Sequence, residues 1–420
     1  MRPPDPGRPT WAEIDLGALL HNYRTLCGLL DCALQIADGG LAIEGTASGP
    51  NPKSAIRNPQ SEIPNPQSAI GTPRVIPVIK ANAYGHGSVP VARALAGAGA
   101  CGFALTIVEE GVALREAGVG QEILVLEGCW PGQEKEALRY RLMPAVYSVS
   151  SIRRLAEAAR AAGERVPVHL KIDTGMNRLG VPWNDMGAVL DALLASDSLR
   201  LRGTFSHLAS AEEEDASFTL EQTRRFHQAV GLVRDRGLDP GELHLANSAG
   251  LLYHPGLRSM SARPGIALYG YFPDPERCPE SLRPVLSLKS RIGQIRTVPP
   301  GASVGYNRLF AAERTTRAAT LPVGYADGYR RSLTGKGCAI VRDRLVPVIG
   351  SVNMDMIVID VTDFSEIQEG EEVILLGSST HCRVDASAWA CWLNTSAYEI
   401  LCGISPRVPR VYPALGTSTA

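Results

Sequence analysis

The run Val75-Ile76-Pro77-Val78-Ile79-Lys80 is apolar up to its last residue, a lysine, and the small residues Ala81-Asn82-Ala83-Tyr84-Gly85-His86-Gly87 follow at once. β-Branched residues that end at a glycine-rich stretch predict a buried strand entering a loop. Burial of a lysine there lowers the pKa of its amine toward the range in which the neutral form attacks a carbonyl. A lone lysine at a strand end more often points into solvent. The remaining sequence distinguishes these two interpretations.

Strand-like and helix-like segments alternate along the chain after residue 71, as expected for an α/β protein. Helical stretches at 151–162 and 220–236 separate some of the predicted strands. Eight strands alternating with helices predict a (β/α)8 TIM barrel. A doubly wound open sheet is the competing fold, but it usually carries a G-x-G-x-x-G turn after its first strand, and this sequence has none. The predicted strands lie at 75–80, 102–106, 122–127, 142–147, 166–172, 201–206, 242–246 and 258–263.

Polar residues follow the predicted strands at the point where each strand ends. Barrel enzymes build their active sites at this carboxyl-end face. Each residue taken alone has a structural explanation, such as a hydrogen-bonded core histidine, a surface ion pair or a helix cap. Their convergence on one face favours an active site. These residues are Lys80, Thr106, Lys171, Asp173, Arg178, His207, His244, Asn247, Ser248, Arg263 and Gly265.

The loops after the last two predicted strands indicate a phosphate site. Asn247-Ser248-Ala249-Gly250 and Arg263-Pro264-Gly265-Ile266 offer a hydroxyl and backbone N–H donors, at the place where barrels commonly bind phosphate. A candidate Schiff-base lysine beside a phosphate site, with no metal cluster and no dinucleotide fingerprint, predicts pyridoxal 5'-phosphate as the cofactor.

The composition limits the classes of partner. The chain has 420 residues, 45% of them hydrophobic, so it can bury a large core and is expected to form two domains. Lys and Arg number 42 against 43 Asp and Glu, with no long basic tract, so neither nucleic acid nor an anionic membrane is an expected partner. No apolar run has bilayer length, and the proline-rich start predicts no signal peptide. Nine cysteines without metal-ligand spacing predict a reducing compartment, the cytoplasm, and no metal site.

A proline-punctuated repeat interrupts the chain before the first barrel strand. Three copies of one hexamer occupy 51–56, 58–63 and 65–70, and the proline in each copy excludes a continuous helix. The stretch 38–49 before them is rich in Gly, Ala and Ser. The composition therefore predicts a flexible surface insertion near 38–71.

The segment from Val78 to Gly87 resembles the cofactor-attachment signature of the alanine racemase family. Members of that family are fold type III pyridoxal-phosphate-dependent racemases. The resemblance extends from about residue 11 to 412, apart from the repeat insertion. Further matching segments are 171–180, 207, 246–248, 263–270, 324–329, 354–355 and 398–399.

In that family a C-terminal β-rich domain follows the barrel. The resemblance therefore implies an N-terminal tail at 1–11, a barrel at 12–290 and a C-terminal β-domain at 291–420. The opening run 9–15 is strand-like and is expected to pair with the second domain. Short β-branched runs recur at 285–298, 316–323, 337–341, 345–349, 356–361 and 372–376.

The resemblance also implies two catalytic bases. Lys80 carries the cofactor and serves one face of the substrate, while Tyr325, reaching in from the other subunit of a homodimer, serves the opposite face. An unperturbed phenol, with a pKa of about 10, is a poor base at neutral pH. Cations such as Arg263, or a hydrogen bond to His207, are therefore expected to favour its ionised form.

The implied roles of the other residues concern the cofactor and the substrate carboxylate. Arg263 would face the pyridine nitrogen, and Arg178, the backbone of Met354 and the neighbouring Asp355 would contact the substrate. Lys171 matches a position that is carbamylated in some relatives, where it orients the arginine. The residue before Met354 is Asn353, where relatives often have cysteine. The implied cofactor-binding residues are Lys80, Tyr84, His207, Asn247, Ser248, Arg263, Gly265, Ile266 and Tyr398.

The implied activity is interconversion of L-alanine and D-alanine, which supplies D-alanine for peptidoglycan. A racemase for serine or for a broader range of amino acids is an alternative. A barrel-type pyridoxal-phosphate decarboxylase is disfavoured, because the glycine-rich phosphate loop of that group is missing and Tyr325 stands in a racemase context. A non-catalytic cofactor carrier would need only the barrel and leaves the second domain unexplained.

Overall fold

The computed structural model describes residues 7–38, 72–272 and 281–413, without the side chains of 31–38. The predicted insertion near 38–71 therefore lies outside the described residues, apart from Asp38 at the end of the first helix. No helix in these described ranges has both the length and the apolar character of a bilayer-spanning segment.

Most of the helices alternate with the strands of the barrel, and two lie near the end of the described chain. They are α1 (Leu16–Asp38), α2 (Lys80–Tyr84), α3 (Ser88–Gly97), α4 (Val108–Glu116), α5 (Glu134–Arg139), α6 (Val149–Ala162), α7 (Gly187–Leu194), α8 (Ser217–Asp235), α9 (Ser248–Tyr253), α10 (Ala386–Leu393) and α11 (Ala397–Cys402). Short 3-10 turns include Ile266–Tyr269 and Tyr325–Asp327.

The strands form a parallel barrel, a mixed sheet and a separate two-stranded sheet of β11 and β12. They are β1 (Trp11–Ile14), β2 (Gly102–Leu105), β3 (Glu122–Val125), β4 (Met143–Val146), β5 (Val166–Asp173), β6 (Val181–Pro182), β7 (Leu199–Phe205), β8 (Glu242–His244), β9 (Leu286–Arg291), β10 (Gln294–Val298), β11 (Ser303–Val304), β12 (Phe310–Ala311), β13 (Thr316–Leu321), β14 (Cys338–Val341), β15 (Arg344–Ile349), β16 (Ile357–Asp360), β17 (Glu372–Ser378), β18 (Arg383–Val384) and β19 (Arg410–Val411).

The barrel consists of β2, β3, β4, β5, β7 and β8 in that order, all parallel, with two irregular segments closing the ring. Single parallel bridges join Val75 to Ala262, Val78 to Ala104, and His244 to Ser261. β2 and β4 are buried at every residue, as expected for a parallel sheet with side chains inside and helices outside. The predicted barrel followed by a β-rich domain is confirmed.

The prediction of regular strands at 75–80 and 258–263 is wrong, because 75–79 and 258–263 form only these isolated bridges. Pro77 has no N–H to donate, although its carbonyl accepts from Ala104 N–H at 2.9 Å. The ladder on that side continues only at Ile79, whose N–H donates to Ala104 O. Lys80 consequently begins α2 and does not end a strand.

An ion-pair cluster links the closing segment to the amino ends of two barrel strands. Arg74 donates in bidentate fashion to Glu242, the first residue of β8, at 2.8 Å for both oxygens. The same guanidinium donates to Glu122, the first residue of β3, at 2.5 Å. Arg74 therefore links the closing segment to β3 and β8 by ion pairs at the amino-terminal end of the barrel.

The mixed sheet has the order β10-β13-β16-β15-β14-β17-β9-β1-β19, with β18 paired to β17. β1 pairs antiparallel with β9 and parallel with β19, so the prediction that the opening run joins the second domain is confirmed. The predicted run 285–298 divides into β9 and β10. β9 extends to Arg291, at the predicted limit of the barrel domain, and the division between 290 and 291 stays a prediction.

We predict that Arg74→Gln lowers the free energy of unfolding by about 3 kcal/mol, because it leaves the buried Glu242 carboxylate without its partner. Burial raises the pKa of Glu242, but the hydrogen bond and charge of Arg74, together with a hydrogen bond from Ser261, hold that pKa below its usual value. In the variant the two contributions of Arg74 are lost, so the pKa of Glu242 in the folded state rises. The deficit should therefore be largest near neutral pH and shrink below about pH 5, as the carboxylate takes up a proton in the folded state.

Urea unfolding of both proteins across this pH range measures the deficit. The matched control is Arg314→Gln, since the pair of Arg314 with Asp363 is exposed on both sides and should change stability by less than about 0.5 kcal/mol. Equal losses of unfolding free energy in the two variants would contradict a stabilising role for the Arg74 ion pairs.

Candidate active site

A cavity of about 730 Å³ opens at the carboxyl ends of the barrel strands. Thr106, Glu127, Tyr147 and Phe205 also line it. The predicted site residues that the structure brings together around this cavity are Lys80, Tyr84, Lys171, Arg178, His207, Asn247, Ser248, Arg263, Gly265, Ile266 and Tyr398.

Lys80 is followed by a left-handed turn. Residues 81–84 all have φ between 51° and 54°, although none of them is glycine. Left-handed backbone costs about 1–2 kcal/mol per residue, so the surrounding structure must hold this turn. Glu110 does so in part, because its carboxylate accepts the N–H of Ala81 at 2.5 Å and the N–H of Thr106 at 3.0 Å. Sequence reasoning did not find Glu110.

The loops after β8 and after Arg263 form a narrow cradle. Ser248 Oγ accepts the N–H of Gly265 at 3.0 Å and of Ala267 at 3.3 Å. A side chain at residue 265 would bring its Cβ within 2.3 Å of the Tyr84 hydroxyl, so glycine is required here. Asn247 caps α9, since its Oδ1 accepts the N–H of Gly250 at 2.8 Å.

Two tyrosine hydroxyls complete this cradle. The rings of Tyr84 and Tyr398 lie 5.9 Å apart. Burial raises the pKa of both phenols, so both stay protonated at neutral pH. The cradle therefore presents two protonated tyrosine hydroxyls as donors beside a position kept open by glycine, which suits a small anion such as phosphate.

Arg263 is fully buried behind the cavity and fixes the protonation of two histidines. Its Nη1 donates to His244 Nδ1 at 2.6 Å, and its Nη2 donates to Ser206 O at 2.6 Å. A guanidinium can only donate, so Nδ1 of His244 carries no proton. The proton of His244 is therefore on Nε2, which donates to His169 Nδ1 at 2.8 Å. His169 then has its own proton on Nε2, an atom without a hydrogen-bond partner among the described residues.

The cavity is strongly cationic. Lys80, Lys171, Arg178 and Arg263 line it, whereas Glu127 is the single carboxylate among the described lining residues. Burial, and then the charges of Arg263 and Arg178, lower the pKa of Lys171 to about 8. Burial also lowers the pKa of Arg263 to about 9. A bound anion would relieve this crowding of positive charge.

His207 is subject to the same field. Burial, followed by Arg263 and Arg178, holds the pKa of its imidazole well below the usual value. The ring is therefore neutral at physiological pH, and it can accept or donate a hydrogen bond at the cavity without adding a fifth positive charge.

Tyr325, Met354 and Asp355 do not line this cavity. They border a second cavity of about 1240 Å³ in the β-rich part of the chain, together with Tyr306 and Arg330. Tyr325 is 41% exposed and Met354 is 53% exposed. A single chain thus does not bring Tyr325 to Lys80, and the exposed apolar surface around Tyr325 is of the kind that marks contact sites.

The fold and the cavity define a barrel enzyme with a lysine and a cradle for an anionic group at the carboxyl ends of its strands. A family model described as alanine racemase, N-terminal domain, matches residues 63–273, and one described as alanine racemase, C-terminal domain, matches 285–412. The chain belongs to the alanine racemase family and is an isomerase.

Individual relatives are similar over nearly the whole chain. An alanine racemase of Geobacter sulfurreducens is 39% identical over 410 residues, covering 96% of this chain and 97% of that one. The structure of alanine racemase from Bacillus anthracis with bound L-Ala-P has a TM-score of 0.82 at 29% identity and covers 97% of this chain and 96% of that one. Alanine racemase from Bartonella henselae with covalently bound pyridoxal phosphate has a TM-score of 0.77 at 27% identity, with coverage of 96% and 99%.

Two partners of the site had weak signals in the sequence. His169 lies two residues before Lys171 on β5, and alternation along a strand places both on the same face. That spacing could have assigned His169 to the barrel interior. Glu110 stands in the first turn of α4, where acidic residues are common for reasons of helix polarity, so its contact with Ala81 had no distinctive pattern.

We predict that stability falls steeply between pH 7 and pH 5.5 because of three fully buried histidines. Burial lowers the pKa of His86 and of His169 to about 4, and burial with the Arg263 charge holds that of His244 well below its usual value. The unfolded chain protonates these rings near pH 6.5 and the folded chain does not, so the unfolded state gains protons as the pH falls. These three rings account for an expected loss of about 4 kcal/mol, and the lowered pKa of His207 adds to it.

Unfolding in urea at the two pH values measures this loss. His169→Gln should reduce the loss by about 1 kcal/mol, since one of the buried rings no longer titrates. A native protein equally stable at both pH values would refute the assignment of neutral buried rings.

Proposed function

We propose that this protein interconverts L-alanine and D-alanine with pyridoxal 5'-phosphate, using Lys80 and Tyr325 of the partner subunit as its two bases. We further propose that it works in the cytoplasm as a homodimer and supplies D-alanine for peptidoglycan. The observation that supports the proposal most directly is the cavity that gathers Lys80, the glycine cradle and the buried Arg263. Membership of the alanine racemase family gives the substrate.

The described residues fit this cofactor. Lys80 would carry it, Arg263 would face its pyridine nitrogen, and the cradle of Gly265, Ser248 and the tyrosine hydroxyls would hold its phosphate. When bound, the cofactor supplies an electron sink that acidifies the α-proton of an attached amino acid. The cradle suits phosphate because a Cβ at residue 265 would occupy the space beside Tyr84.

Arg263 would limit the strength of that electron sink. Its guanidinium is held as a donor, because His244 and the carbonyl oxygen of Ser206 both accept from it. A donor at the pyridine nitrogen cannot keep that nitrogen protonated, as an aspartate would. Arg263 would thereby favour return of the proton to the α-carbon over side reactions such as transamination.

The two bases would act on opposite faces of the substrate. The amine Nζ of Lys80 would take or return the proton on one face, and the phenol Oη of Tyr325 of the partner subunit would do so on the other. A phenol needs its pKa lowered from about 10 to act near neutral pH. The cations of the cavity would favour the ionised phenol once the partner's turn lies against it.

Arg178 would hold the substrate carboxylate, with the backbone of Met354 of the partner subunit opposite it. Lys171 would act through Arg178. Its pKa of about 8 gives more neutral amine near pH 7 than an ordinary lysine has, and the neutral amine is the form that combines with carbon dioxide. A carbamate on Lys171 would add a negative charge beside Arg178 and offset the crowded cations.

Substrate range is tested by incubating the purified protein with L-alanine, L-serine and L-lysine and measuring each D-product. We predict fastest conversion of alanine and loss of conversion in Lys80→Ala. Borohydride reduction of the holoenzyme and peptide mapping should place the pyridoxyl label on Lys80. Lys289 is an internal control, since it is paired with Glu13 and Glu372 in the second sheet. A label on Lys171 or Lys289 would refute the assignment.

The shared site predicts complementation between inactive chains. We expect a Lys80→Ala chain refolded with a Tyr325→Phe chain to recover about a quarter of wild-type activity. Random pairing makes about half the dimers mixed, and each mixed dimer has one intact site of two, as two-fold symmetry requires. Mass spectrometry confirms that mixed dimers formed. Activity no higher than that of the two parents would place both bases within one chain.

A further inference from the structure

We propose that Asp327 and Arg407 are positioning residues that set where Tyr325 lies relative to the segment 353–355. This inference rests on the proposed role of Tyr325 as a base. It extends that role to residues that do not themselves line the Lys80 cavity.

Asp327 is the anchor of the tyrosine turn. Its side chain has no exposed surface, and it lies two residues after Tyr325. One carboxylate oxygen accepts the N–H of Gly324 at 3.0 Å, which closes the turn on itself. The other oxygen accepts from Arg8 and from Nε of Arg407, both at 2.7 Å. The turn is thereby bound to the start and to the end of the described chain.

Backbone hydrogen bonds hold the same turn against the segment 353–355. The N–H of Tyr325 donates to Asn353 O, and the N–H of Ala326 donates to Met354 O, each at 3.0 Å. A Cβ at Gly324 would lie 2.3 Å from both of these carbonyl oxygens. Tyr325 and the backbone of Met354 therefore belong to one closely packed unit, in which neither segment can move relative to the other without a steric clash.

Arg407 joins both halves of this unit. Besides Asp327 it donates to Asp355 Oδ1 at 2.6 Å, so one guanidinium contacts a carboxylate on each segment. It also neutralises Asp355, whose negative charge would otherwise stand beside the carboxylate of the substrate. Arg8, Asp327, Arg407 and Asp355 together are electrically neutral.

Few other interactions hold the phenol of Tyr325 in place. Within the described residues no hydrogen bond reaches the Tyr325 hydroxyl, and the ring is 41% exposed. Its position must therefore come from the backbone that carries it. A displacement of about 1 Å at a reacting group can cost as much as a hundredfold in rate, so the residues that hold this backbone control the rate without touching substrate.

The test compares Arg407→Gln, Arg407→Lys and the control Arg342→Gln. Arg342 makes a bidentate pair with Glu371 on the same sheet, away from the tyrosine turn. We expect Arg407→Gln to lower kcat about tenfold, with unchanged cofactor content and absorbance. Arg407→Lys retains the charge and should recover to within about threefold of wild type. The control should match wild type.

Two readouts separate positioning from general damage. The α-deuterium isotope effect should rise for the enantiomer whose proton Tyr325 removes and stay constant for the other enantiomer. Hydrogen exchange of the cofactor-free protein should show faster exchange of the amides of Tyr325 and Ala326, with no change in barrel peptides. The second readout does not depend on any bound group.

Isotope effects that rise equally for both enantiomers, or amide exchange equal to wild type in Arg407→Gln, would overturn the proposal. If that variant fails to fold, Arg8→Gln removes the other cation on Asp327 and is judged by the same two readouts. The Tyr325→Phe variant distinguishes failure of the proposed function from failure of the positioning role of Arg407. Wild-type activity in that variant would remove Tyr325 as a base, whereas the exchange result would still report whether Arg407 holds the turn.

Discussion

The segment 75–79 closes the barrel through main-chain hydrogen bonds to neighbours on both sides, and the rest of the site depends on that closure. The N–H of Ile76 donates to Ala262 O, whereas the N–H of Ile79 donates to Ala104 O. The segment therefore cannot shift without opening the ring of strands. Lys80 follows directly, so the position of its amine is set by the barrel framework, which holds a reactive group more accurately than a surface loop does.

The sequence predicted the central strands of the barrel because their apolar runs are separated by clear helical stretches. It overestimated the strand that contains Pro77, since composition there is strand-like while the hydrogen-bonding capacity is not. Residues at strand ends were found because parallel strands deliver them to one face. Glu110 and His169 were missed, since their roles arise from contacts with Ala81 and His244 that are distant in the chain.

Positive charge dominates the cavity, and the pKa values of Lys171, His207 and Arg263 shift in the direction that reduces it. Lys171 has a lowered pKa, and His207 is kept neutral. The same coupling acts in reverse when an anion binds, because a nearby negative charge raises these pKa values. Under the proposed role of the cradle at Gly265, binding of an anion there and proton uptake by Lys171 and His207 are thus linked.

Lys80 and Tyr325 lie in two separate cavities of one chain. In the proposed homodimer, each active site therefore needs residues from both chains. Under the proposed assembly, a newly made chain is chemically silent until it meets another. Below the dissociation constant of the dimer, the rate would rise with the square of the chain concentration and not in proportion to it. Activity would then appear only above a certain chain concentration, because the partner surface around Met354 completes the active site.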